Sequence, residues 1–285
     1  FYILLFTFLI IYLRKSFVKY DFNEQDAQLQ RAKDIILNHA TSSIIFIAAF
    51  ISYFVFSDVS LMMKDIMMLI VLIVSIPLIK PFLYKRFKSI LYFIILIFIL
   101  NAAKTYLWYS SGFYRIFIFL ESFLVFGIIY YYTHPYWVTR KMKMGKFGIL
   151  LVKSVPILYF LLFISAISNI TGYTNLTDIT LKIATKSSII TVTFYSVLMI
   201  ASGLTTGILH SYLSKRKSVS AERKFLIEKK SIKWITIIVL FFWVIFFLKL
   251  VDLLDPLQNW LVDFANENQK VGSISFTYGN IFTFI

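Results

Sequence analysis

Few residues of this chain have chemistry to offer, and most of them lie in apolar surroundings. Glu121 sits near the middle of a long apolar run, with Arg115 six residues earlier on the same run. An ionisable group in lipid is costly, so it marks either a proton or cation site or a pairing with a base on a neighbouring helix. Six residues along a helix turn two side chains to different sides, so Arg115 and Glu121 are not expected to face each other. Lys153 and Lys249 lie within a turn or two of the end of a run, where long stems can carry the ammonium to the headgroups. Lys182 and Lys186 precede another run and read as interfacial. Pro156 interrupts an apolar run, removes a helix hydrogen bond and predicts a kink. Gly203 and Gly207, flanked by Ser202, Thr205 and Thr206, make a small-residue face on which two helices can approach closely.

Enzyme chemistry finds no footing. The chain contains no cysteine, which excludes disulfides, thiol catalysis and cysteine metal sites. His39, His134 and His210 are far apart, each beside a basic or interfacial stretch, and nothing predicts their convergence on a metal. There is no Gly-rich phosphate loop, no His-Glu-x-x-His and no nucleophile elbow. With acids few and scattered, no residue is assigned a catalytic, cofactor-binding or metal-ligating role. Asn169-Ile-Thr171 and Asn175-Leu-Thr177 fit the glycosylation pattern. The Ile-, Lys-, Phe- and Tyr-heavy composition looks like that of an AT-rich bacterium, in which these matches are coincidence.

The elements that position these residues are expected to be membrane helices. The chain is 59% hydrophobic and 15% charged, with a mean hydropathy of +0.80, too apolar for a soluble domain. About 20 apolar residues span a bilayer as a helix. Complete spans are expected near 40–57, 61–79, 89–103, 111–132, 147–168, 187–209 and 234–250. Phe1 to Leu13 reads as the end of an earlier span that enters the cytoplasm at Arg14. Its bases follow its apolar run, and it is too short, so it does not read as a signal peptide. Residues 20–39 read as a surface helix, and the polar stretch from Asn169 to Asp178 as an outer loop. From Leu257 to Lys270, Leu257, Trp260, Leu261 and Phe264 recur at helical spacing against polar residues, which suits a helix lying on the membrane surface. Val271 to Ile285 reads as the start of a further span. Both chain ends fall inside apolar runs, so a piece of a longer protein is expected.

Orientation follows from charge. Lysines and arginines cluster at Arg14–Lys19, Lys80–Lys88, Arg140–Lys146 and Lys215–Lys233, beside every second connection. The connections near Asp58, Asn101, Asn169 and Asp252 carry few cations. Basic loops stay on the cytoplasmic side, which fixes one topology. The net charge of +15 then reads as orientation signals and contacts for anionic lipid headgroups rather than for nucleic acid. The fold class is all-α: a polytopic transmembrane bundle of sequential helical hairpins over 1–256, an amphipathic outer-surface helix over 257–270, and the start of a span over 271–285.

The stretch from Trp260 to Ile285 resembles the entry to the channel core of the larger MscS-like mechanosensitive channels. Gly272, Ser273, Ile274, Ser275, Phe276, Thr277, Gly279, Asn280 and Ile281 match the family's phrase, and the direction of the last span agrees. The likeness covers about the last 26 residues. It implies a homo-oligomeric, tension-gated ion channel of the bacterial cytoplasmic membrane that protects against osmotic stress. The hairpins would be its membrane-embedded sensor, and Trp260, Leu261 and Phe264 would couple sensor to core. The pore helix and cytoplasmic β-rich domain would lie beyond Ile285, so no pore residue is assigned. Two alternatives stand beside it. One is a secondary transporter with Glu121 and Pro156 near a midplane site; the other is the membrane anchor of a signalling protein.

Overall fold

A computed structural model describes residues 2–18, 34–56, 58–83, 85–107, 112–134, 146–214, 221–266, 268–271 and 274–277. The expected all-α bundle is what the chain forms. Its helices are α1 (Tyr2–Val18), α2 (Ala40–Val55), α3 (Leu61–Ile79), α4 (Ile90–Thr105), α5 (Gly112–Thr133), α6 (Lys146–Thr171), α7 (Thr174–Ser214), α8 (Ala221–Leu250) and α9 (Leu254–Asn266). Among the described residues, five stretches are long and apolar enough to cross a membrane: 61–79, 87–105, 112–133, 174–212 and 226–250. Ala40–Val55 and Val155–Thr171 are shorter apolar helices. This is the build of an integral membrane protein.

Two connections show how short the turns are. Between α2 and α3 the chain reverses at Asp58–Ser60, and the Ser60 side chain accepts the Met63 backbone N–H at 3.4 Å, capping α3. Between α6 and α7 the reversal is tighter still. Gly172 takes φ 91°, Tyr173 N–H bonds to Ser168 C=O at 2.8 Å, and Gly172 N–H to Asn169 C=O at 3.2 Å. That is a Schellman ending, which needs a left-handed residue and finds glycine. The outer loop expected from Asn169 to Asp178 is therefore absent, and α7 begins at Thr174. Its polar N-terminal part is helix, with Thr177, Thr180 and Thr185 each returning the hydroxyl to the carbonyl one turn earlier.

Helix α7 is the axis of the bundle. It is 41 residues long and touches α1, α3, α4, α5, α6 and α8. Among the described residues, each of the three buried apolar clusters includes it. Ile200 and Leu204 pack with α1, α2 and α3 through Ile10, Leu13, Phe46, Val71 and Leu78. Ile189 packs with Leu72 and Ile94 of α3 and α4. Leu181 and Ala184 pack with Ile97, Ile118, Val125 and Leu162 of α4, α5 and α6. Lipid is as apolar as leucine, so burial alone does not hold such helices together. Close fit and polar contacts between them must do so.

Other expectations are corrected. Helix α1 does not stop at Leu13 but carries Arg14 and Lys15 on to Val18. Of the surface helix expected over 20–39, the described part is a π-turn, Asp34–Asn38, with Ile35 and Ile36 buried. Apolar side chains so close to the first full span are drawn into the packing of α1 and α7. Asn101 lies not in a connection but inside α4. Helix α6 continues on both sides of Pro156, so the proline does not end it. The amphipathic helix ends at Asn266, short of Lys270. After it, Asn268–Val271 pairs antiparallel with Ile274–Thr277. The segment expected to begin a span at Val271 thus opens as a small hairpin, in which the β-branched and aromatic Ile274, Phe276 and Thr277 favour an extended backbone. Gly272, Ser273 and residues 278–285 lie outside the described residues.

A buried charge centre between three helices

Glu121 does not stand alone in its helix. Lys104, in the last turn of α4, is 4% exposed, and its Nζ lies 2.9 Å from Asp178 Oδ1 and 3.5 Å from Glu121 Oε2. Asp178, in the second turn of α7, pairs through its other oxygen with Lys182 one turn further on. Two cations and two carboxylates therefore balance, which is how charge is tolerated away from water.

Asn101, one turn before Lys104 on α4, ties the centre to the backbone. Its Nδ2 is 2.8 Å from Glu121 Oε1, 3.2 Å from Thr185 Oγ1 and 3.2 Å from Ile97 C=O. An amide has two hydrogens, so these three contacts share them, and the shortest goes to the acceptor-only carboxylate. Among the described residues Asn101 Oδ1 has no hydrogen-bond partner.

A second polar seam joins α5, α6 and α7. Ser165 donates to Thr177 C=O at 3.3 Å, so Ser122, 3.2 Å from Ser165, is the donor of that pair. Nearer the turn, Arg115 Nη2 donates to Asn169 C=O at 2.8 Å, and Asn169 Nδ2 returns a bond to Arg115 C=O at 2.9 Å. This clamp covers a carbonyl at the end of α6, where a helix runs out of partners of its own. Asn169 is buried and engaged, and Thr177 of the second glycosylation pattern is fully buried within α7.

The remaining candidates disperse. Arg115 and Glu121 have separate partners, as their spacing requires. Gly203 packs against the π-turn: a Cβ there would meet Ile35 Cδ1 at 3.0 Å. Gly207 is buried on the same helix. Pro156 is exposed, on the outside of α6, and takes no part in the charge centre's hydrogen bonds; the Lys153 and Leu261 side chains lie outside the described residues. Trp260 and Phe264 stack at 5.7 Å on α9, both exposed.

Sequence reading singles out Glu121 and misses Lys104, Asn101, Asp178 and Thr185. It places Lys182 at an interface, and 41% side-chain exposure leaves that lysine at the edge of the centre. The signal is present as Asn101-x-x-Lys104 and Asp178-x-x-x-Lys182, two helical spacings that put each pair on one face. Among the described residues no three carboxylate or imidazole side chains converge as a metal site. What the centre can do is hold helices together through charge, or exchange a proton or cation at its carboxylates. Comparison with protein-family models, curated proteins and solved structures gives no match in any of the three.

Proposed function

We propose that this chain is the membrane-sensor region of a tension-gated channel of the MscS-like kind, serving osmotic protection in a bacterial cytoplasmic membrane as a homo-oligomer. The observation that carries the reading is helix α9 and its place in the chain. The backbone leaves α8 through Asp252, with φ 55°, and turns at once into an amphipathic helix whose Trp260 and Phe264 are exposed. The segment that resembles the entry to the channel core comes next. Helix α8 supports the same reading, because one face packs on α7 while Ile237, Ile238, Leu240, Phe241 and Phe242 remain exposed and offer an apolar surface to lipid.

Tension favours whichever state occupies more membrane area, so a sensor needs a broad lipid contact and anchors at fixed depth. Exposed Phe241, Phe242, Trp234 and Leu240 supply the contact, and the basic clusters, on the cytoplasmic face, supply anchoring on anionic headgroups. Trp260 and Phe264 would transmit the motion of α8 to the core. Replacing both with glutamine in the full-length protein should shift the threshold tension in patch recordings. An unchanged threshold sinks the coupling role of α9, and absence of any tension-activated current in the unaltered protein sinks the reading as a whole.

One observation favours a second reading, a secondary transporter. Lys104, Glu121 and Asp178 are ionisable groups buried within apolar helices, the usual sign of an ion or proton pathway. On that reading Glu121→Gln abolishes solute-coupled proton or sodium flux in vesicles, and no tension-activated current exists.

A further inference from the structure

Anchoring by surface aromatics makes no use of the charge centre, although burying charge there is costly. Its geometry is uneven in a telling way. Lys104 is at the end of α4 and Asp178 near the start of α7, so each lies within about a turn of a helix end. Their side chains can reach the headgroup layer without carrying charge through hydrocarbon. Lys182, 41% exposed and paired to Asp178, already stands on that route. Glu121 is different: it is nine residues into α5, roughly 13 Å along the helix, and Asn101 holds it there.

Apolar side chains would join these helices at lower desolvation cost than ion pairs do. A charge cluster with an exit for two members and none for the third has two discrete arrangements instead of a continuum. We infer that Lys104, Glu121 and Asp178 form a latch that joins α4, α5 and α7 in one state and parts in another, Lys104 and Asp178 withdrawing to the adjacent headgroup layer. Glu121, left with the Asn101 amide, makes the parted state the less stable one until lateral pull favours it. The inference rests on the tension-gated reading, which supplies the pull.

These 285 residues contain no cysteine, so a pair introduced here reports cleanly once any cysteine elsewhere in the full-length protein is replaced by serine. Ile94 of α4 and Ile189 of α7 share a buried apolar cluster that does not include the charges. In membrane vesicles of the full-length protein, oxidative cross-linking of Ile94→Cys with Ile189→Cys should fall about threefold on hypo-osmotic swelling. With Lys104→Met added, it should be equally low at rest and insensitive to swelling, while Lys104→Arg and the remote control Lys249→Met behave like the parent. The triple variant Lys104→Met, Glu121→Gln, Asp178→Asn, which strands no charge among the three, serves to separate misfolding from unlatching: it should insert and express as the parent does and show no response to swelling. A Lys104→Met yield equal to the parent's overturns the latch, and so does a parent yield that swelling leaves unchanged in a protein that passes tension-activated current. If that current is absent, the tension reading fails, and the comparison of Lys104→Met with Lys104→Arg at rest still decides whether the pair holds the helices.

Discussion

Lys104→Met is the most informative single perturbation of this bundle. The ammonium lies 2.9 Å from one carboxylate and 3.5 Å from another, both buried. At an effective dielectric constant of about 20, those separations correspond to roughly 6 and 5 kcal/mol of gross attraction. Most of that is offset by the cost of removing three charges from water. A mutation measures the imbalance it leaves, and breaking a buried pair typically costs about 3–5 kcal/mol. The two carboxylates do not suffer equally here. Asp178 keeps Lys182 on its other oxygen, whereas among the described residues Glu121 keeps the Asn101 amide alone. The expected loss is therefore near the lower end, about 3 kcal/mol, or roughly 150-fold in the folding equilibrium. Reversible unfolding in mixed micelles, followed by SDS titration, measures it. The triple variant Lys104→Met, Glu121→Gln, Asp178→Asn should recover all but about 1 kcal/mol, since none of the three positions then holds an unpaired charge in the interior. A Lys104→Met protein within about 1 kcal/mol of the parent would refute the reasoning, because it would mean that the carboxylates reach water or another cation.

Other substitutions test neighbouring parts of the bundle. Lys182→Met removes a partly exposed pair and should cost only about 0–1 kcal/mol in the same titration, far less than Lys104→Met. Gly172→Ala forces a side chain into φ 91° and strains the α6–α7 turn, so about 1–2 kcal/mol should be lost in thermal unfolding. Gly203→Val drives a branched side chain into Ile35, already 3.0 Å from a Cβ at that position, and should lower stability by about 1–3 kcal/mol, while Gly203→Ala costs less because the end of Ile35 can yield. Arg115→Ala removes the donor to Asn169 C=O and should destabilise the same corner by about 1–3 kcal/mol, with the thermal midpoint as readout.

Much of the architecture is legible in the residues. Apolar runs of near-membrane length locate α2, α3, α4 and α5 closely, because nothing competes with helix formation in such stretches, whereas α8 starts thirteen residues before the expected Trp234. The errors fall where polarity is taken to mean a loop. Thr174 to Ser188 holds four threonines, two serines, two lysines and an aspartate, yet it is helix, because its hydroxyls bond back to their own helix and Asp178 finds two lysines. Asn101 and Lys104 are hidden for the same reason: at the end of an apolar run they look like its boundary. Partners that come from three different helices leave no trace in local spacing. Glu121 can be recognised as unusual from its own surroundings, while the identity of its partners requires the fold.

The length of α7 has a mechanical consequence. Forty-one residues of continuous helix extend about 60 Å, roughly twice the thickness of the hydrocarbon layer. Such a rod is a lever pivoted among six neighbours. A tilt of only about 10° about one tip sweeps the opposite tip through roughly 10 Å, so thinning of the bilayer by a few ångströms can become a displacement large enough to reposition whatever the far tip holds.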